Sequence, residues 1–221
     1  MSNLVTIEQK ILKKNADLAA ENRQHLDGHG VFGVGLVGSP GSGKTSLLER
    51  VLVALRGRAR AAVIEGDVQT ERDAQRIAAL GVPVVQIVTN GTCHLEARMV
   101  QEALPSVSLS ELDMLFIENV GNLVCPSAYE LGEHVRVVVT STTEGADKAI
   151  KYPAVFRTAH ALVVNKIDLL PYVPCTLDEI VGFARQVNPD LRVFPTSCTT
   201  GEGIEGLVAW LLEGRRAQRA P

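Results

Sequence analysis

Residues 38–45 (GSPGSGKT) match the phosphate-binding pattern G-x-x-x-x-G-K-T. A predicted strand, Val31–Val37, precedes this loop, and a predicted helix, Thr45–Leu55, follows it. The backbone N–H groups of the loop and the positive end of the helix dipole are therefore expected at one place. We expect Lys44 to reach the β- and γ-phosphates and the Thr45 hydroxyl to ligate Mg²⁺. The pattern predicts nucleotide binding by Gly38, Gly41, Ser42, Gly43, Lys44, Thr45 and Ser46.

A second motif, Asn165-Lys166-Ile167-Asp168, follows an apolar predicted strand and indicates that the base is guanine. The Asp168 carboxylate can accept hydrogen bonds from guanine N1–H and N2–H₂, which adenine does not offer. A buried charged acceptor without donors costs several kcal/mol, enough for discrimination of about a thousandfold. We expect Asn165 to contact the other edge of the base, the Lys166 stem to lie against its face, and the backbone at Ser197 and Cys198 to contact O6. The expected ligands are GTP and GDP.

Two carboxylates follow predicted strands and are candidates for the Mg²⁺ environment: Asp67, after Ala61–Glu65, and Glu118, after Met114–Ile117. Glu118 begins Glu-Asn-Val-Gly, where many GTPases have Asp-x-x-Gly, and Gly121 can offer its N–H to the γ-phosphate. No Gln follows Gly121 to orient a water, so we expect slow intrinsic hydrolysis that a partner or dimerisation accelerates. The predicted catalytic residues are Lys44, Thr45, Asp67, Glu118 and Gly121, with Mg²⁺ on Thr45, Asp67 and Glu118.

Cys93, His94 and Cys125 form a possible soft-metal site, because each follows a predicted strand at its carboxyl end. Thiolate and imidazole suit Zn²⁺ or Ni²⁺ and not Mg²⁺. A predicted helix, His94–Leu104, places Cys93 at a helix N-terminus, which lowers the pKa of a thiol. A fourth ligand would come from water, the backbone or a second subunit across a two-fold axis. From spacing alone, a buried cysteine and a capping histidine remain open as alternatives to a metal site.

Composition limits the classes of partner. The 221 residues carry a net charge of −3, and basic residues do not cluster before Arg215, Arg216 and Arg219, so nucleic acid is not expected as a main partner. No apolar run approaches the roughly 18 residues needed to span a bilayer, and we expect no membrane partner. The first residues lack the apolar segment of a secretory signal. With four cysteines and no C-x-x-C pair, we expect a cytoplasmic protein with free thiols or metal ligands.

Strands and helices alternate along the chain, which predicts an α/β fold with a mostly parallel sheet covered by helices on both faces. Residues 1–30 are expected to form an N-terminal helical extension, residues 31–214 a P-loop GTPase domain, and residues 215–221 a short basic tail. The helix predicted over residues 6–25 has Thr6 as its N-cap. Its apolar stripe either packs on the flank of the domain or docks another chain, and consists of Ile7, Ile11, Leu12 and Leu18.

Together these residues resemble the HypB family, the GTPases that help to insert nickel during [NiFe]-hydrogenase maturation. The resemblance covers roughly residues 31–213, and its most specific stretch is Glu118–Pro126 (ENVGNLVCP). The other segments that agree with the family are Gly38–Thr45, Glu65–Asp67, Cys93-His94, Asn165–Asp168 and Ser197–Gly203. Unlike some relatives, these 221 residues include neither a Cys-rich N-terminal motif nor a His-rich tract.

The resemblance implies a SIMIBI-type G domain that forms a GTP-dependent homodimer, with Ni²⁺ or Zn²⁺ bound by Cys93, His94 and Cys125 at the interface. It also implies a HypA-like nickel metallochaperone as partner, docked through the N-terminal segment, and a hydrogenase large subunit precursor as the recipient of nickel. Because Cys125 lies four residues beyond Gly121, gain or loss of the γ-phosphate should move a metal ligand. Metal and nucleotide affinity should then be coupled reciprocally, typically by about 1–3 kcal/mol.

Four other functions remain open for this sequence. UreG-type urease GTPases carry Cys-Pro-His ligands, whereas this chain has Cys93-His94 and Cys125-Pro126. In a GTPase that serves a cobalamin enzyme, both cysteines would be incidental. A nucleotide-gated interaction module would act through dimerisation alone. A phosphate-transferring kinase is disfavoured, because Asn165–Asp168 selects guanine and no acceptor pocket is evident.

Overall fold

The computed structural model describes residues 7–69 and 72–219. Thr6 and Thr70, each predicted to begin a helix, lie outside them. Within the described residues one seven-stranded sheet has the order β3-β2-β4-β1-β5-β6-β7, and every neighbouring pair is parallel. The predicted α/β fold is confirmed. The strands are β1 Phe32–Gly38, β2 Ala61–Asp67, β3 Val84–Val88, β4 Met114–Glu118, β5 Val135–Ser141, β6 Ala161–Asn165 and β7 Arg192–Pro195.

Helices cover both faces of this sheet, as crossover connections between parallel strands require. They are α1 Ile7–Gly28, α2 Lys44–Leu55, α3 Arg72–Ala78, α4 Ala97–Ala103, α5 Lys148–Lys151, α6 Pro153–Arg157, α7 Leu177–Val187 and α8 Ile204–Gln218. Along the described part of the chain, no helix combines the length and apolar character needed to cross a bilayer.

The central strand β1 sets the position of the phosphate loop. It pairs with β4 on one side and β5 on the other, so the strand order reverses at β1 and a crevice opens beyond its carboxyl end. All seven of its residues are buried. A Cβ on Gly35 would lie 3.0 Å from the Glu133 side chain, so this glycine allows the strand to approach a buried glutamate. The loop that follows β1 therefore leaves a rigid, fully buried strand.

Helix α1 packs on the flank of the domain through a different face from the predicted one. Ile7 and Ile11 are 78% and 49% exposed, so they do not contribute to the core. Leu12 and Leu18 are half-buried. Among the side chains of α1 that the structure describes, the buried ones are Asn15, Ala19, Asn22 and Leu26. Of the two alternatives left open for the apolar stripe, packing on the flank therefore does not apply to Ile7 and Ile11.

Hydrogen bonds explain why α1 buries two asparagines. Asn15 Nδ2 donates to the Glu130 carbonyl at 2.8 Å, and its Oδ1 accepts from the Ala97 N–H at 2.8 Å. Asn22 Nδ2 donates to the carbonyls of Ala97 at 2.8 Å and Leu131 at 2.9 Å. A buried amide is tolerated when its polar atoms have partners. A hydrophobicity pattern does not detect such a face.

The C-terminal residues predicted as a basic tail mostly belong to α8. This helix runs to Gln218, six residues beyond the predicted end at Leu212, because Arg215 and Arg219 both pair with Asp113. Burial alone would raise the pKa of Asp113, but the backbone N–H and guanidinium of Arg60 and the charge of Arg215 lower it to about 2. The two final residues of the chain lie outside the described part.

Candidate nucleotide and metal sites

A cavity of about 560 Å³ opens beyond the carboxyl ends of β1, β2 and β4, at the place where a parallel sheet binds ligands. The sequence-predicted residues that line it are Gly41, Gly43, Lys44, Thr45, Ser46, Asp67, Glu118, Gly121 and Lys166. The structure adds Glu65, Asp73 and Arg76 to this lining. Arg76 donates to the Ser46 hydroxyl at 3.1 Å and pairs with Glu49 and Asp73.

The phosphate loop curls around the start of α2. Gly41 and Gly43 have φ values of 76° and 93°, a region that favours glycine. A Cβ on Gly43 would collide with the side-chain amide of Asn165. Lys44 Nζ donates to the carbonyls of Gly38 at 3.3 Å and Ser39 at 3.4 Å, so the ammonium lies inside the loop. Burial lowers the pKa of Lys44, and the charge of Glu118 opposes this effect.

Thr45 and Glu118 are brought together as predicted for a Mg²⁺ site. The Thr45 hydroxyl donates to Glu118 Oε1 at 2.8 Å, and Glu118 Oε2 is buried with no hydrogen-bond partner among the described residues. Burial raises the pKa of Glu118 to about 7, against the charge of Lys44 and the bond from Thr45. A hard cation would satisfy the free oxygen, so the donor set fits Mg²⁺.

Glu65 is a buried carboxyl to which the sequence assigned no role, although it begins the Glu65–Asp67 segment that agrees with the family. It pairs in register with Glu118 across β2 and β4, and burial, with the charges of Glu118 and Asp67, raises its pKa to about 8. Its Oε2 also has no hydrogen-bond partner in the described structure. Carboxylate oxygens of Glu65, Asp67 and Asp73 all lie within 4.8 Å of one another. The position of Glu65 inside an apolar strand was the signal available in the sequence.

The residues predicted to recognise guanine lie around the phosphate loop on its other side. Asn165 Nδ2 donates to the Ser42 carbonyl at 3.1 Å, and its Oδ1 accepts from the Cys198 N–H at 3.4 Å. Both ends of this amide thus contact protein, and Asn165 connects three loops. Lys166, with a φ of 61°, donates from Nζ to the Gly41 carbonyl at 2.7 Å. Of the side chains predicted to contact the base, Asp168 has a buried Oδ1 with no hydrogen-bond partner among the described residues.

In the loop that was expected to contact O6, one of the two backbone groups is already engaged. The Ser197 N–H donates to the Glu202 carbonyl at 3.0 Å. The longer, weaker contact of the Cys198 N–H with Asn165 leaves this group as the better candidate for a bond to the base.

Cys93, His94 and Cys125 converge on one point. The two sulfur atoms are 2.9 Å apart, and Cys93 Sγ lies 3.9 Å from His94 Nδ1. One donor atom from each residue lies within 4.8 Å of the other two. The His94 ring packs 4.2 Å from the Tyr129 ring, and burial lowers the pKa of His94 against the charge of Glu96. Burial thus favours the neutral imidazole, the form that ligates metals.

One prediction about this cluster is wrong. Helix α4 begins at Ala97, not at His94, so Cys93 and His94 lie in a turn before the helix. The helix dipole does not lower the pKa of the Cys93 thiol; the hydrogen bond to Cys125 raises it. The Ala97 N–H donates to Asn15 Oδ1 and the Leu95 N–H donates to Asn119 Oδ1, so side chains satisfy N–H groups around the start of α4.

The loop that carries Cys125 also contacts the phosphate loop. Asn122 forms an antiparallel bridge with Gly38, the first residue of the phosphate-binding motif. A Cβ on Gly121 would lie 3.1 Å from Pro40 Cα, so the two loops touch at this glycine. A change at the phosphates can therefore reach the segment that holds Cys125 through direct contacts.

This fold and this cavity define a P-loop nucleotide-binding protein. Residues 33–195 match the family model for the CobW/HypB/UreG nucleotide-binding domain. The hydrogenase maturation factor HypB of Azotobacter vinelandii is 50% identical over 218 residues, which cover 99% of this chain and 72% of that protein. HypB of Escherichia coli strain K12 is 45% identical over 208 residues, covering 94% and 72%. The chain belongs to the HypB family of hydrogenase maturation factors, as the resemblance indicated.

Solved structures support the assignment to the HypB family. HypB from Helicobacter pylori, in complex with nickel, superposes with a TM-score of 0.89 at 36% identity and covers 94% of this chain and 98% of that one. A LAO/AO transport system kinase superposes with a TM-score of 0.57 at 16% identity, over 98% of this chain and 82% of that one, which shows a shared fold alone. The predicted SIMIBI-type P-loop fold is thus confirmed.

Proposed function

We propose that this protein is a GTP-hydrolysing metallochaperone that binds Ni²⁺ or Zn²⁺ at Cys93, His94 and Cys125 and delivers nickel for [NiFe]-hydrogenase maturation. The observation that carries the proposal is that the three soft donors lie within 4.8 Å of one another and that Cys125 is on the loop that bridges to Gly38. The nickel complex of the Helicobacter pylori relative supports the same metal. Membership of the HypB family supports the role in maturation.

GTP occupies the cavity at the phosphate loop in this proposal. Lys44 and the loop N–H groups bind the phosphates, Asp168 selects guanine, and Mg²⁺ is held by Thr45, Asp67 and Glu118. When bound, Mg²⁺ neutralises charge on the transferred phosphoryl group. The orphaned oxygen of Glu118 and its bond to Thr45 support this assignment. Gly121 offers its N–H to the γ-phosphate, and intrinsic hydrolysis is slow because no Gln follows it.

Partners complete the proposed cycle in the cytoplasm. A second copy of the chain supplies the remaining metal ligand, which agrees with the exposure of Cys93 and with Val124, 60% exposed beside Cys125. A HypA-like metallochaperone docks on the exposed apolar end of α1, at Ile7 and Ile11. A hydrogenase large subunit precursor receives the nickel. Residues 1–30 act as the extension and residues 31–214 as the GTPase domain.

Equilibrium binding of Ni²⁺ and Zn²⁺, with the oligomer mass measured in GDP and in a non-hydrolysable GTP analogue, tests the proposal. Cys125→Ala should weaken metal binding at least a hundredfold. Cys175→Ala is the matched control, since the Cys175 thiol is buried and donates to the Thr142 carbonyl far from the cluster. Unchanged metal affinity in Cys125→Ala would leave a guanine-nucleotide switch without metal delivery.

A further inference from the structure

We propose that Asn119 and Asn122 form an amide clamp, a pair of side chains that holds the Cys93-His94 turn against the Cys125 loop and makes metal affinity depend on the bound nucleotide. The inference rests on the proposed function, because it concerns the regulation of that same metal site. Both are positioning residues, since each acts on the backbone that carries a donor and not on the metal itself.

Asn119 joins the Mg²⁺ side of the cavity to the turn that follows His94. It comes directly after Glu118, and its backbone N–H donates to the Leu36 carbonyl in β1 at 2.9 Å. Its Oδ1 accepts from the Leu95 N–H at 2.9 Å, which fixes the orientation of the amide. The side chain is only 2% exposed. A displacement of the segment after Glu118 must therefore move or break the contact to the metal-binding turn.

Asn122 joins the two cysteine-bearing segments to each other. Its Nδ2 donates to the Cys93 carbonyl at 3.3 Å, and its Oδ1 accepts from the Val124 N–H at 2.9 Å, one residue before Cys125. Its backbone pairs with Gly38 in the phosphate loop. Asn122 thus contacts the phosphate loop and also the backbone beside both thiols.

The clamp lies on both sides of the residue expected to sense the γ-phosphate. Gly121 lies between the two asparagines in sequence and packs against Pro40. A Cβ on Gly121 would lie only 3.1 Å from Pro40 atoms. A movement of Gly121 on gain or loss of the γ-phosphate is then transmitted to Asn119 and Asn122 together. Because their partners lie on the 93–95 turn, the distance between the Cys93 and Cys125 donors changes with the nucleotide. Without the clamp, a movement of Gly121 would no longer be passed to the backbone beside the two cysteines, and the donor distance would not follow the nucleotide.

The test is the ratio of nickel dissociation constants in GDP and in a non-hydrolysable GTP analogue, measured for wild type, Asn119→Ala and Asn122→Ala. We expect a ratio of about five- to 150-fold in wild type, the usual range of coupling between two sites. In Asn122→Ala it should fall to within twofold of one, with guanine nucleotide affinity nearly unchanged. Asn119 is buried, so if its variant does not fold, the half-buried Asn122 decides the question.

Asn188→Ala is the matched control. Asn188 is half-buried like Asn122, and its Nδ2 donates at 3.0 Å to the carbonyls of Phe156 and Ala159, away from both sites. A merely structural loss should lower the melting temperature in this variant and leave the ratio intact. A wild-type ratio that persists in Asn122→Ala overturns the clamp, as does nickel binding by wild type that is equal in both nucleotides. A wild-type protein that binds no nickel overturns the proposed function itself.

Discussion

The Thr45 hydroxyl donates a 2.8 Å hydrogen bond to the Glu118 carboxyl group, across 73 positions of sequence. The bond joins the first turn of α2 to the end of β4, and both residues contact the cavity. Glu118 begins the segment that leads through Gly121 to Cys125. The residue proposed to ligate Mg²⁺ and the thiol proposed to ligate nickel therefore lie on one continuous segment that begins at this bond.

Replacing Glu118 by Gln should slow GTP hydrolysis by about a hundredfold or more while GTP affinity changes only a few fold. The amide oxygen can still accept from Thr45, but the charge that holds a hard cation is lost. Single-turnover hydrolysis measured over a range of Mg²⁺ concentrations checks this. Glu111→Gln, at an exposed position away from the cavity lining, is the control. Hydrolysis at the wild-type rate in Glu118→Gln would remove the carboxylate from the mechanism.

Glu65 should make the nucleotide-free protein less stable as the pH rises from about 4.5 to about 8. Its pKa is about 8 in the fold against 4.5 for the free side chain, so the folded state holds a proton that the unfolded state has lost. Glu118, with a pKa of about 7, adds to the same trend. Melting temperatures across this pH range should decline in wild type and decline less in Glu65→Gln. An equal slope in both proteins would contradict the assignment.

Asp113→Asn should lower the free energy of unfolding by about 2–4 kcal/mol, because it leaves the arginines around a nearly buried carboxylate without their partner. The pKa of Asp113 is lowered to about 2, so its contribution is present above about pH 4 and is lost as the pH falls towards 2. Urea denaturation at pH 7 and at pH 3 measures both effects. Asp190→Asn, at an exposed position, should have little effect at either pH.

Asp168→Asn should weaken GDP binding by about a hundredfold or more and improve binding of xanthosine diphosphate. The amide group cannot accept both guanine donors, whereas its N–H₂ can donate to the 2-oxo group of xanthine. Competition titrations with GDP, xanthosine diphosphate and ADP measure the change. If GDP affinity is retained, the base is recognised elsewhere, and the free Asp168 oxygen has another role.

Asn22→Ala should destabilise the protein by about 1–3 kcal/mol, because the carbonyls of Ala97 and Leu131 would lose a buried donor. Thermal or urea unfolding measures this directly. Gln24→Ala, at an exposed position of the same helix, is the control. An unchanged unfolding free energy would mean that α1 is held by other contacts.

The sequence by itself determined nucleotide binding and the class of fold, because both depend on residues that are neighbours along the chain. The phosphate loop at residues 38–45 and Asn165–Asp168 are contiguous, and each follows an apolar strand, so strand, loop and helix could be inferred from local pattern. The parallel sheet followed from the alternation of these units, since parallel strands need crossovers. Both could therefore be predicted from short stretches of the sequence.

Tertiary structure alone decided which distant residues share an environment. Cys93 and Cys125 are 32 positions apart, and only the paths of their loops bring the sulfurs within 2.9 Å. The first N–H of α4 bonds to Asn15, 82 positions away, and the last turns of α8 pair with Asp113 through Arg215. Burial of Asn15 and Asn22 contradicts hydrophobic patterning, because hydrogen bonds to partner loops offset the cost of desolvation. Such partners are set by packing, which a local pattern does not contain.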